Sequence, residues 1–236
     1  MIPYTTEYAM FEFSQHGELQ MMTKLSKYNF HTIFDVGANI GEWSRMVRPL
    51  HRNAVIHQFE IVPDTYHKLL NNHVLDAGMI PNNFGLSYET GTQVIRYVPE
   101  NDRVSTLIRE LFHDNSVDRT VLTVTGFDYC AIHGINEIDF LKIDTEGHDY
   151  DVLEGFKSKK FNAKIIQFEY GYTSVLTKNL LVDFYRMLQY HYVIGRLTPE
   201  GVRFKDFHLF DEDFKGPDYV AVRRDQEDII EDIRAK

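Results

Sequence analysis

The chain has 236 residues, of which 43% are hydrophobic and 25% are charged, as in an ordinary folded domain. Its formal charge of -10 would repel a phosphate backbone, and no apolar run approaches the roughly 20 residues of a membrane-spanning helix. A single cysteine, Cys130, excludes an internal disulfide and agrees with a reducing compartment. We therefore expect one cytoplasmic domain without a nucleic-acid or membrane partner.

Apolar runs of strand length alternate with amphipathic stretches along the chain, a pattern typical of α/β proteins. Segment 15–28 predicts an N-terminal helix, and Pro63 suits the first turn of a later one. The predicted strands are 32–34, 54–59, 79–83, 93–98, 138–143, 164–168, 192–197 and 218–222. The predicted helices between them are 42–50, 63–74, 151–156 and 180–188.

Strands that are separated by helices must run mostly parallel, because each right-handed crossover returns the chain to the same edge. We expect a doubly wound, mostly parallel sheet of seven strands, with a small insertion between strands three and four that includes 93–98. Residues 1–30 would form a helical extension and residues 31–236 the domain itself. Ligands of such sheets bind at the carboxyl ends of the strands, where the strand order reverses.

The first strand runs into a glycine loop, FDVGANIG at 34–41. Its glycines allow a tight turn and a close backbone approach, and the carboxylate at the strand end suits a cationic amine better than a pyrophosphate. The spacing is GxxxG, not GxGxxG, which favours an amino-acid-bearing nucleoside over a nicotinamide cofactor. A plain strand-to-helix turn is the alternative. The candidate ligand contacts in and after this loop are Asp35, Gly37, Ala38, Asn39, Gly41, Glu42 and Trp43.

Two further strand ends suggest contacts with a nucleoside. Glu60 follows the second strand about 20 residues after the glycine loop, the position that binds ribose hydroxyls in these folds. Its alternative role is an exposed cap of the next helix. The exit of the third strand contains Gly85, Leu86 and Ser87, which could lie along an adenine ring or form a bare turn.

The end of the fourth main strand, 140–149, changes abruptly from apolar residues to several ionisable groups. Asp144 and Glu169, at the end of the next strand, could hold a divalent ion such as Mg²⁺ or Mn²⁺, or one could act as a base. His148 is a further candidate base, with a surface histidine as the alternative. A helix cap and a solvated strand end are the alternatives for the two carboxylates. Asp149 is interpreted as stabilising the positive end of the following helix.

Taken together, these motifs resemble the FkbM family of methyltransferases, in the right order and spacing over about residues 32–170. The motifs that carry the resemblance are FDVGANIG at 34–41, FE at 59–60 with Pro63, STL at 105–107, FLKIDTEG at 140–147 and VLEG at 152–155.

The resemblance implies a class I methyltransferase fold, which is Rossmann-like, with S-adenosylmethionine as donor. It implies O-methylation of a small polar acceptor, above all a sugar or glycan hydroxyl. Asp35, Gly37 and Gly41 would surround the methionine part of the donor, Glu60 would hold its ribose, and Asp144 would lie near the transferred methyl group.

Two other functions fit part of the pattern: a nicotinamide-dependent oxidoreductase, which shares the sheet, and a catalytically silent nucleoside-binding module. Tyrosines in 170–172 and 190–192 could stack on a sugar face, with core packing as the alternative. The oligomeric state stays open, a homodimer being one alternative.

Overall fold

The computed structural model describes residues 13, 15–72, 76–97, 105–106, 116–156, 162–216 and 218–236. Several predicted parts lie outside the described residues: 1–12 and 14 of the N-terminal extension, 73–74 of a helix, Val98 of a strand and Leu107 of a motif. The helices are α1 (Glu18–Leu25), α2 (Glu42–Val47), α3 (Pro63–Asn72), α4 (Gly126–His133), α5 (Asp149–Glu154), α6 (Thr173–Thr177), α7 (Leu181–Leu188) and α8 (Glu227–Ile233). Across the described ranges, none of them is long and apolar enough to cross a bilayer.

The strands fall into two sheets. They are β1 (Thr32–Val36), β2 (Val55–Phe59), β3 (Met79–Asn82), β4 (Gly85–Leu86), β5 (Gly91–Tyr97), β6 (Ser105–Thr106), β7 (Val117–Val124), β8 (Ile138–Ile143), β9 (Ala163–Glu169), β10 (Tyr192–Thr198), β11 (Gly201–Phe204) and β12 (Asp218–Arg223).

The central sheet has the order β11-β10-β12-β9-β8-β1-β2-β3. Strands β3, β2, β1, β8 and β9 pair in parallel, whereas β12 is antiparallel to both of its neighbours and β11 is antiparallel to β10. The α/β class and the mostly parallel sheet are confirmed, but the predicted count of seven strands is wrong, since there are eight. The extra strand, β11, has four residues and forms only by hairpin pairing with β10, which its short sequence does not signal.

The insertion expected between strands three and four is the second sheet, with the order β4-β7-β5-β6. Its long pair, β5 and β7, is antiparallel from Gly91 and Thr123 to Tyr97 and Val117. A small apolar cluster that includes Val62, next to the start of α3, anchors this sheet to the domain.

Both faces of the central sheet are covered, so its inner strands are mostly apolar and largely buried. All six residues of β8 are buried, as expected for a parallel strand between two helical layers. One face packs Ile33 and Phe140 against α1, α2 and α8, and the other packs Phe34 and Leu141 against α4, α5 and α7. The chain proceeds from β1 outward to β3 and then returns to β8, so the strand order reverses between β1 and β8.

Candidate active site

The glycine loop lies between the ends of β2 and β8. The backbone amides of Gly37 and Ala38 donate to the Phe59 carbonyl at 3.0 and 2.9 Å. Gly37 has φ +83°, and a Cβ added there would stand 1.8 Å from the carbonyl oxygen of Asp144. Because that neighbour is backbone, only glycine fits at this position. Gly41, with φ 84°, sets the direction of α2.

Glu60 holds this loop through its carboxylate. Its Oε2 accepts the amide of Asn39 at 2.9 Å, and its Oε1 accepts the amide of Val62 at 2.7 Å. The side chain is 7% exposed. A carboxylate is an acceptor with two oxygens, the group that suits hydroxyl donors. Asn39 has φ 50° and accepts the amide of Ile40.

Asp35 is completely buried, one residue before the end of β1. Ser44 of α2 donates to its Oδ2 at 2.6 Å, and the ammonium of Lys142 lies 3.9 Å from its Oδ1. That Oδ1 atom has no hydrogen-bond partner within the part of the chain that the structure describes. Burial raises the pKa of Asp35. Asp35 is therefore already paired with the cation of Lys142. Its carboxylate would act on a ligand from within the protein, through its charge.

Lys142 connects Asp35 with Asp144. It stands beside Asp35 in the register of β1 and β8, so both side chains point to the same face. Its Nζ donates to Asp144 Oδ2 at 2.9 Å, and the Asp144 side chain is 47% exposed. Burial by itself would lower the pKa of Lys142, but Asp144, Asp35 and Glu18 together raise it. The lysine is therefore a permanent cation beneath the strand ends.

The same polar row continues into β9. Gln167 is the register partner of Lys142, and its Nε2 donates to Glu18 Oε1 at 2.8 Å and to Asp218 Oδ2 at 2.6 Å. Burial raises the pKa of Glu18 to about 7 against the attraction of Lys142, and burial also raises that of Asp218. Sequence reasoning missed this row. Its one local signal was Lys142 near the end of a mostly apolar strand.

Asp149 ties the loop after β8 to the end of β9. Its Oδ2 accepts the hydroxyl of Thr145 at 2.8 Å and the amide of the same residue at 3.2 Å, and its Oδ1 accepts the amide of Glu169 at 2.8 Å. It is also the first residue of α5. This arrangement agrees with the structural role predicted for Asp149.

The predicted pair of carboxylates, Asp144 and Glu169, lies at neighbouring strand ends, because Ile143 pairs with Phe168. Burial, followed by the charge of Asp144, raises the pKa of Glu169 to about 9. Asp144, Glu146 and Glu169 together form an acidic group at the strand ends. Burial and the charge of Asp144 raise the pKa of Glu146 to about 7. No group of three His, Cys, Asp or Glu residues is placed to hold a metal in the described ranges. Metal binding by Asp144 and Glu169 stays a prediction.

Three of the remaining predicted site residues are His148, Trp43 and Glu42. His148 bonds through Nδ1 to Asp151 Oδ2 at 2.9 Å, on the helix that it precedes. Trp43 is 3% exposed and packs on Phe140, with the Lys142 ammonium 5.8 Å from its ring centroid. The indole is therefore part of the core. Glu42 begins α2 and lies 3.9 Å from Arg45.

The segment expected along an adenine ring belongs to the second sheet. Leu86 is 4% exposed and packs in the core. The carbonyl of Ser87 faces Gly155, where an added Cβ would lie 2.2 Å away, and Gly85 lies against Ile61. The role of these three residues in binding stays a prediction.

The tyrosines considered for sugar stacking divide into two groups. Tyr170 and Tyr192 are fully buried core residues, whereas Tyr172 is 62% and Tyr190 is 79% exposed. Of the two exposed rings, Tyr172 has its pKa raised, first by burial and then by the negative charges of Glu146 and Glu169. It therefore stands at the rim of the acidic group.

The Methyltransferase FkbM domain matches residues 35–193. The hexuronic acid methyltransferase AglP of Haloferax volcanii is 28% identical over 144 residues, covering 59% of this chain and 56% of that protein. The methyltransferase sdnD of Sordaria araneosa is 29% identical over 153 residues, covering 52% of this chain and 59% of its own length. The chain thus spans less than two thirds of the length of these relatives.

Solved structures with a similar fold include other methyltransferases. The plantazolicin methyltransferase BpumL in complex with SAH has a TM-score of 0.48 at 12% identity, over 93% of this chain and 88% of that one. Precorrin-6y C5,15-methyltransferase from Geobacter metallireducens GS-15 has a TM-score of 0.45 at 13% identity, over 92% and 87%. Likenesses of this size carry no argument about ligands.

Proposed function

Because the chain belongs to the FkbM family of methyltransferases, we propose that it transfers the methyl group of S-adenosylmethionine to a hydroxyl of a small sugar or glycan. One observation carries the proposal. The glycine loop lies at the reversal of strand order, with Glu60 on one side and Asp144 on the other. This is where a doubly wound sheet binds its ligand.

The donor would lie across the glycine loop. Its ribose hydroxyls would donate to the carboxylate of Glu60, and the cationic end of its methionine part would face the buried charge of Asp35. Asp144 would be nearest the transferred methyl group. The residues present suit this ligand, because a buried carboxylate oxygen of Asp35, which accepts no hydrogen bond among the described residues, stands close to the loop.

The protein then has two tasks, to align the acceptor oxygen with the methyl group and to accept its proton. Alignment can supply roughly 7 to 11 kcal/mol of the barrier, and a positioned base adds about 10²- to 10⁴-fold. Asp144 is the proposed base because its carboxylate is exposed at the strand end. Glu169, whose pKa is raised to about 9, is the proposed helper that holds a proton at neutral pH.

The acceptor class is proposed from charge and from the relatives. AglP is by name a hexuronic acid methyltransferase, which supports a sugar. The charge of Asp144, joined by that of Glu146 above its pKa of about 7, would repel a free carboxylate, so a neutral hydroxyl should be the better substrate. Tyr172 is exposed at the rim and offers a ring on which a sugar face can stack.

The test has two stages. Calorimetric titration with S-adenosylhomocysteine and with NAD should give binding of the first alone, and binding of NAD alone would instead support the oxidoreductase. Labelled S-adenosylmethionine is then offered with neutral hexosides and with hexuronates. We expect alkali-stable label on the hexosides, because methylation of a hydroxyl gives an ether. The rate of methyl transfer should fall at least about tenfold in D144N. Donor binding without transfer to any acceptor would support the silent module.

A further inference from the structure

The N-terminal helix α1 is fixed against the central sheet at its first turn. Gly17, just before it, has φ +93°, and a Cβ there would lie 2.2 Å from the carbonyl of Thr198. Met21, Met22 and Leu25 are buried in the core beneath the sheet. The helix therefore holds one direction, and that direction sends the side chain of Glu18 inward.

Glu18 ends in the polar row below the strand ends. It is 5% exposed, and its Oε1 accepts Gln167 Nε2 at 2.8 Å. Gln167 in turn neighbours Lys142 across the two strands. Glu18 lies outside the segment that matches the family domain, residues 35–193. The extension thus adds a charge of its own to the domain.

The charges in this row do not balance. Four carboxylates, those of Glu18, Asp35, Asp144 and Asp218, influence one another and the single cation Lys142, as far as the described residues go. Buried oxygens also remain without hydrogen-bond donors there, namely Asp35 Oδ1 and Gln167 Oε1. Above pH 7 an ionised Glu18 adds negative charge to this row, and that charge, together with the unfilled acceptors, suits a positively charged ligand at the adjoining strand ends.

We propose that Glu18 is a positioning residue of the donor site, which acts through Gln167 and Lys142 and makes the site prefer the cationic donor to the neutral product. This rests on the proposed function. S-adenosylmethionine carries a sulfonium, an ammonium and a carboxylate, and therefore has a net charge of +1. S-adenosylhomocysteine has lost the sulfonium charge and is neutral overall. The shared parts of the two ligands bind alike, so their affinity ratio reports the field at the sulfur.

The test compares both ligands on wild type and on E18Q by calorimetry. The glutamine keeps an oxygen that can accept from Gln167, removes the charge and replaces the other oxygen with an NH₂ group. Burial raises the pKa of Glu18 to about 7, so titrations are made at pH 8. Four charged groups face Glu18: Asp35 of β1, Asp144 of the loop after β8, Asp218 of β12 and Lys142 of β8. These groups are the same in both proteins. We expect the affinity for S-adenosylmethionine to fall about tenfold in E18Q, and that for S-adenosylhomocysteine less than about twofold.

Two variants are measured alongside. E18D keeps the charge and should keep the preference for the cationic ligand. E227Q removes one charge from exposed Glu227 of α8, a helix that packs on α1, and should change neither affinity. Equal losses for both ligands in E18Q, no loss for either, or an E18D that loses the preference would each overturn the inference. If wild type binds neither ligand, the proposed function itself fails.

Discussion

At the scale of single residues, Lys142 explains how acidic groups can gather beneath the strand ends. Removing a carboxylate or an ammonium from water is costly unless the charge is paired. Lys142 is 5% exposed and bonds to Asp144 at 2.9 Å while lying 3.9 Å from Asp35. Its charge stabilises two carboxylates at once. Lys142, one residue before the end of β8, thus supplies the positive charge that allows these carboxylates to lie close together.

Glu60 yields a prediction about binding. In E60Q, one of the two backbone amides held by the carboxylate, those of Asn39 and Val62, would face an NH₂ group. We expect the affinity for S-adenosylhomocysteine to fall at least about tenfold, and the free energy of unfolding to fall by about 1 to 2 kcal/mol. Calorimetry and urea unfolding measure the two effects. E89Q, at an exposed glutamate, is the control, and an unchanged affinity in E60Q would remove Glu60 from the ribose site.

Glu169 yields a prediction about pH. Its folded-state pKa of about 9 lies above the ordinary 4.5, so the folded state binds more protons between these values. Stability therefore falls as the pH rises through that window. E169Q mimics the protonated side chain and should unfold less readily than wild type at pH 9, by on the order of 1 to 2 kcal/mol, because neighbouring carboxylates share part of the effect.

Urea unfolding at pH 5, 7 and 9 checks this expectation. The control is E231Q, at a side chain that is 72% exposed, which should follow the wild-type profile. A wild-type protein whose stability rises from pH 5 to pH 9, with E169Q parallel to it, would contradict the prediction.

At the scale of elements, the glycine loop shows why one turn needs two different properties of glycine. Gly37 supplies a positive φ and also leaves room for the carbonyl of Asp144. The loop is then bonded to the carbonyl of Phe59. Strands β2, β1 and β8 are therefore joined at their carboxyl ends by one short segment, which positions Glu60 and Asp144 on either side of it.

A pair of glycine variants separates these two properties. Gly134 has φ +65° with nothing within 4 Å of an added Cβ, whereas at Gly37 the nearest atom is 1.8 Å away. We expect G134A to cost about 1 kcal/mol of unfolding free energy and G37A about 3 kcal/mol or more. Chemical unfolding under one set of conditions measures both. Equal losses would show that the approach to Asp144 is not what requires glycine.

At the scale of the whole molecule, charge restricts the choice of partner. The net charge of -10 and the acidic group at the strand ends act in the same direction. Both would repel a phosphate backbone and attract a cationic donor. We therefore expect a small acceptor and not a nucleic acid.

This preference can be measured by filter binding of a short DNA duplex at low salt. We expect no retention at about 10 μM protein, whereas non-specific DNA binders have dissociation constants of roughly 1 to 100 μM. S-adenosylhomocysteine binding serves as the control for folded protein. Retention that weakens steeply with added salt would contradict the prediction.

The sequence by itself determined the α/β class, the presence of an insertion between strands three and four, and the segments that form the strand ends. The loops at 34–41 and 140–147 could be recognised because a strand, a tight turn and the start of a helix are encoded by consecutive residues. The neighbouring position of Asp144 and Glu169 followed from the parallel arrangement of consecutive strands.

Only the tertiary structure decided which polar groups meet below those ends. Glu18, Lys142, Gln167 and Asp218 come from four separate elements, α1, β8, β9 and β12. Their contact depends on strand order and register, and on a helix fixed at Gly17. The eighth strand, β11, likewise exists only through pairing with β10. Such contacts arise from packing between segments distant in the chain, which local periodicity does not encode.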